Sequence, residues 1–71
     1  MDNYNIGEMI QVHRKLAGLT QLELANLAGV GKTTVFDIEK NKDTIRWNNL
    51  KSILNVLNIQ VEFKGSFKGE V

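Results

Sequence analysis

Apolar positions recur in steps of three and four along most of this chain and switch to steps of two near residue 59. Ile6, Met9, Ile10, Leu16 and Ala17, with His13 among them, follow helical spacing and predict a first helix over residues 6–17. Asn5 stands as N-cap with Glu8 three positions on, and Gly18 ends the run. Leu24, Ala25 and Ala28 form the stripe of a second helix, opened by a Thr20 and Glu23 capping box and stopped at Gly29. Val35 and Ile38 give residues 32–39 an inward face, and the polar run Asn41, Lys42, Asp43, Thr44 reads as a surface loop. A fourth helix carries Leu50, Ile53, Leu54 and Leu57, with Asn58 suited to a left-handed end. Beyond it Ile59, Val61 and Phe63 alternate with Gln60, Glu62 and Lys64, the period of a short strand.

Residues 21–40 therefore predict two short helices joined by a Gly-containing turn, the arrangement of a DNA-binding helix-turn-helix. Ala25 is small enough to let the two helices approach, and Val30 can fill the angle between them. The fold expected is a small all-α domain of four to five helices over residues 1–58, with a strand at 59–64 and a mobile tail at 65–71. A lone strand leaves its amides and carbonyls without partners, so pairing with the same strand of a second copy is expected. Ile59, Val61 and Phe63 would then lie in a homodimer contact.

Size and composition narrow the function. With 71 residues the core is small, and association of two copies would add to a marginal stability. There is no cysteine and only one histidine, which leaves no disulfide and no ordinary zinc site, and no cofactor is called for. The first twenty residues contain Asp2, Glu8, Arg14 and Lys15 and no unbroken apolar stretch, so neither a secretory signal nor a membrane span is read there and the cytoplasm is the expected compartment. Net charge is only +1, but residues 32–51 hold Lys32, Lys40, Lys42, Arg46 and Lys51 against Asp37, Glu39 and Asp43, a local +2, while residues 1–31 sum to −1.

The chain resembles the Xre/Cro-type repressor family. Gln21 opens the first motif helix, Leu24 and Ala25 lie inside it, Ala28, Gly29 and Val30 make the turn, and Glu39 closes the second helix. The likeness runs from residue 6 to residue 63, and its end, Asn58, Ile59, Gln60, Val61, Glu62 and Phe63, is similar to the HipB-type antitoxins within that family. Gly31 departs from it, standing where the family often has a Ser or Thr cap; Gly at this position costs only a few tenths of a kcal/mol relative to those residues. The resemblance implies a dimeric repressor that binds an inverted-repeat operator in double-stranded DNA and regulates its own operon, with a HipA-like kinase toxin as a further partner.

Carried over position by position, the resemblance places base reading on Lys32, Thr33, Thr34 and Asp37. Lys32 could donate to guanine or meet a phosphate, Thr33 could touch a thymine methyl, and Asp37 could accept from cytosine. Gln21 is a candidate phosphate ligand at the start of its helix, and Lys40, Lys42 and Arg46 are candidates for backbone contacts. Arg14 and Glu39 stand where the family commonly ties the first helix to the end of the recognition helix by an ion pair.

Other chemistries fare poorly. Gly31, Lys32 and Thr33 look like the end of a phosphate-binding loop, but its first Gly would fall at Asn26 and a helix precedes it where a strand is needed. His13 lies on the apolar side of its helix without a nucleophile at useful spacing, Trp47 reads as a core or interface anchor, and no catalytic constellation is visible, so an enzyme is not expected. The competing reading is a protein-interaction module on a helix-turn-helix scaffold, which would use Leu22, Leu27 and Phe36 if they form one patch.

Overall fold

The computed structural model describes residues 5–62. Four helices follow in order: α1 (Ile6–Leu16), α2 (Gln21–Ala28), α3 (Lys32–Glu39) and α4 (Trp47–Val56). The helix count settles at four, and α1 stops one residue before the predicted end, with Ala17 as its C-cap. Residues 59–62 leave α4 without forming a strand, and no strand occurs among the described residues. An alternating apolar segment does not suffice for a strand, because its amides and carbonyls need another edge to pair with. Phe63 and the tail at 65–71 lie outside the described residues.

Capping follows the sequence closely at the helix starts. Asn5 Oδ1 accepts from the Glu8 amide at 2.8 Å. At α2 the Glu23 amide donates to Thr20 Oγ1 at 3.0 Å while the Thr20 amide donates to Glu23 Oε1 at 2.8 Å, a complete reciprocal box.

All four helices end in the same way. Gly18, Gly29, Asn41 and Asn58 take φ of 74, 73, 59 and 58°, so the chain turns left-handed just past each helix. The amide of the next residue then reaches back to the last turn: Leu19 to Arg14 O, Val30 to Ala25 O, Lys42 to Asp37 O and Ile59 to Leu54 O, all between 2.9 and 3.1 Å. These are Schellman closures, which satisfy carbonyls the helix itself cannot. The left-handed turn at Asn41 is additional to the sequence reading, which took residues 41–44 only as a polar loop.

Ile10 from α1, Leu24 and Ala25 from α2, Val35 and Ile38 from α3, and Ile53 and Leu54 from α4 make the fully buried core. Helix α2 packs on α3 and α4, whereas α1 packs mainly on α3. The inward stripe of α1 consequently differs from the expected one. Its buried positions are Gly7, Ile10 and Arg14, while Leu16 is 80% exposed. The stripe is centred on a glycine and an arginine because α1 meets the C-terminal end of α3 at very short range.

Gly7 makes that approach possible. A Cβ there would stand 2.6 Å from Ile38 O, 2.8 Å from Asn41 Oδ1 and 2.9 Å from Glu39 O, and two of these three neighbours are backbone that cannot rotate away. Its amide donates to Asn41 Oδ1 at 3.1 Å. A glycine within a helical pattern, disfavoured there by about 1 kcal/mol relative to alanine, is the sequence sign of such a contact.

Candidate nucleic-acid interface

Helix α3 begins on an extended residue, Gly31 at φ −79° and ψ 154°, and no side chain caps its first amides. The Thr34 amide reaches Gly31 O at 3.0 Å, while the Lys32 and Thr33 amides precede the first intrahelical bond and stand at the positive end of the helix dipole. Lys32 and Thr33 project from this first turn and are exposed, whereas Thr34 is half-buried. Asp37, one turn on, is half-buried, with its Oδ1 4.0 Å from Lys42 Nζ. That loose, solvent-facing pair softens the negative charge on this face of α3 without removing it.

The basic residues spread from α3 into the loop that follows it. Lys40, Lys42 and Arg46 are all exposed, and Arg46 occupies the N-cap of α4 without a capping hydrogen bond. Lys40 holds its Nζ 5.2 Å from the centroid of the Phe36 ring. Phe36 itself lines a shallow depression of about 140 Å³ with Lys32 and Thr33. This ring was absent from the base-reading positions carried over by resemblance; its sequence signal is a large apolar residue in α3 immediately beside the inward Val35.

Behind this face an ion-pair network sets the attitude of α3. Arg14 is 7% exposed, and its Nε donates to Glu39 Oε2 at 2.6 Å while Nη2 donates to Oε1 at 3.0 Å. The remaining guanidinium nitrogen, Nη1, donates to Leu19 O at 2.9 Å, so the planar fork is engaged on both sides. The hydrogen bonds that Arg14 donates to Glu39, together with the carboxylate charge, raise the Arg14 pKa above its ordinary value, against the opposing effect of burial. Gln21 joins through Nε2, which donates to Glu39 Oε1 at 3.1 Å. One carboxylate at the end of α3 thereby holds α1 and the first residue of α2.

This places Gln21 differently from a simple surface phosphate ligand. Its side-chain nitrogen is directed to Glu39, and the capping box takes up the Thr20 and Glu23 amides, so the Gln21 and Leu22 amides are the ones that precede the first bond of α2. Of the residues expected in a dimer contact, Ile59 is half-buried and packs on the core of its own chain, while Val61 is exposed. Both border an open groove of about 380 Å³ shared with Trp47, Lys51 and Leu54.

The motif geometry and the sequence comparisons agree. Residues 10–64 match the family described as Helix-turn-helix. The chain belongs to the helix-turn-helix family. Among curated proteins, a helix-turn-helix relative from Sinorhizobium fredii (strain NBRC 101917 / NGR234), named as an uncharacterized HTH-type transcriptional regulator y4mF, is 33% identical over 58 residues, spanning 82% of this chain and 76% of that protein. Among solved structures, a chain from a structure of a HipA-HipB-O2-O3 complex superposes with a TM-score of 0.77 at 23% identity, covering 94% of this chain and 99% of its own. A chain described as MDT Protein gives the same TM-score, identity and coverage. These structures share the helix-turn-helix fold.

Proposed function

We propose that this chain is a sequence-specific DNA-binding transcriptional repressor that acts as a homodimer on an inverted repeat and, as an antitoxin, regulates its own operon. The observation that carries the reading is the exposed, uncapped start of α3, bearing Lys32 and Thr33, on a helix whose far end is fixed by the buried Arg14–Glu39 pair. Rigid presentation of a short helix by its far end is what groove recognition needs, since base contacts depend on sub-ångström placement. Membership of the helix-turn-helix family and likeness to an HTH-type transcriptional regulator support the same reading.

Lys32, Thr33, Thr34 and Asp37 are assigned to the base edges, and Lys40, Lys42, Arg46 and the start of α2 to the phosphates. The dimer rests on the alternation of Ile59, Val61 and Phe63: residues 59–62, which form no strand in the single chain, would gain strand partners from the same segment of a second copy. The antitoxin role, with a HipA-like kinase as partner, rests on the sequence likeness at residues 58–63 and on the shared fold with a chain of a HipA-HipB-O2-O3 complex. No helix among the described residues is long and apolar enough to cross a membrane.

The interaction-module reading is less well supported. Leu22 and Leu27 are 53% and 63% exposed, but five residues of α-helix separate them by about 140° around α2, which is too wide for one patch.

The deciding experiment is selection of binding sites from random duplexes, followed by titration of the enriched and a scrambled duplex at physiological salt. Enrichment of an inverted repeat with half-sites about one helical turn apart, or a multiple of it, is expected. Equal affinity for both duplexes would overturn sequence-specific recognition. Co-expression with the product of the neighbouring gene and recovery of a stable complex with a HipA-like kinase would test the antitoxin assignment separately.

A further inference from the structure

Phe36 has no place in the core. Its neighbours Val35 and Ile38 fill the inward side of α3, while the Phe36 ring is left 45% exposed in the middle of the helix. Lys32 precedes it by one turn and Lys40 follows it by one turn, so the three residues share a face. With Lys32 and Thr33 it walls the shallow depression at the start of the helix, and Lys40 sits within cation–π range of its ring. The result is an apolar surface framed by two cations.

That combination discriminates between occupants. A protein partner with an apolar anchor would gain from the ring but would meet the flanking ammonium groups. Duplex DNA offers complementary charge on its phosphates and, on the major-groove edge of its bases, one projecting alkyl group, the thymine 5-methyl. An aromatic hydrocarbon ring has no donor or acceptor for guanine, adenine or cytosine edges, so contact with that methyl is the specific interaction it can make. We propose that Phe36 is a further specificity-determining residue that reads a thymine 5-methyl group in each half-site. The inference rests on the DNA-binding reading above and deepens it: one position of each half-site is read by apolar contact, separate from any contact made by Thr33.

The test uses the full chain and the duplex recovered by selection. Each thymine in turn is replaced by uracil, which removes the 5-methyl and nothing else, and the dissociation constant is measured for wild type, Phe36→Ala, Phe36→Leu and Thr33→Ser. In wild type, uracil at one position per half-site should weaken binding about fourfold, the worth of one buried methyl. Phe36→Ala should be indifferent to uracil at that position, Phe36→Leu should keep part of the effect, and Thr33→Ser should keep all of it. Circular dichroism checks that the variants are folded, and the leucine variant carries the comparison if the alanine variant is not. A uracil penalty that neither Phe36 variant reduces at any position, or wild-type indifference to uracil throughout, would overturn the proposal while leaving DNA recognition intact. If no sequence is enriched at all, the DNA-binding reading fails first and this one with it.

Discussion

Glu39 is 4% exposed in its side chain and accepts three hydrogen bonds, two from Arg14 and one from Gln21. Removing it leaves a buried guanidinium that keeps its hydrogen bond to Leu19 O. Glu39→Ala should therefore lower unfolding free energy by about 3 kcal/mol, the usual result of stranding one partner of a buried pair, as read from denaturant titration. Melting identical to wild type would show that the pair contributes nothing. Gly7→Ala acts at the other side of the same contact. The added methyl meets backbone carbonyls, so α1 must shift, and a loss of about 1–3 kcal/mol is expected. Both variants should also bind operator DNA less well, because each loosens the seat of α3. The Arg14–Glu39 tie could be named from the sequence, since it followed from matching two positions to a family pattern. The Gly7 approach could not, because a glycine in a helix shows that something comes close but not what. Asn41 is instructive in the same way. Asn tolerates left-handed φ, yet that property fits a loop as well as a helix end, and its bond to the Gly7 amide links residues 34 positions apart.

At the scale of elements, capping chemistry explains why the helix boundaries were legible to within a residue or two, since Asn5, Thr20, Gly18, Gly29 and Asn58 act locally. Which face each helix buries was less so. The apolar stripe of α1 was read to include Ile10 and Leu16; Ile10 is buried, but α1 is placed by α3 and turns Gly7 and Arg14 inward in place of Leu16. Helix α3 offers a test of its weak start. The position of a Cβ on Gly31 is open, its nearest neighbour being Thr34 Oγ1 at 4.0 Å. Gly31→Ser should thus supply the missing cap and raise stability by a few tenths of a kcal/mol, measurable as a small increase in the urea midpoint. A loss of stability would mean that the extended conformation at Gly31 does not permit a serine cap.

For the whole molecule, the exposure of Lys32, Thr33 and the basic loop was legible, because it follows from their order around α3 and beyond it, and their assignment to DNA remains the proposal. The proposed dimer contact was less legible, because it depends on a second chain and on Phe63, outside the described residues. Deleting residues 58–71 from the proposed dimer should give a monomer or an unstable chain by sedimentation, and a full-length chain that is monomeric at tens of micromolar, about where an obligate dimer should hold, would exclude the dimer. Lys42→Ala should weaken binding to all sequences alike and reduce the salt slope by about one, whereas Thr33→Ala should change preference at one base pair.

The bare start of α3 also has a thermodynamic meaning. Helices α1 and α2 carry Glu8 and Glu23 in their first turns, where a carboxylate is favourable to the helix, but α3 carries none. It forgoes that stabilisation, as α4 does, and in the proposed DNA complex a negative group at that end would repel a phosphodiester. Thr33→Glu should separate the two demands: about 0.3–1 kcal/mol more stable to unfolding, and unable to hold its operator. A protein engineered only for heat resistance would be driven toward that substitution, and selection for function would drive it back.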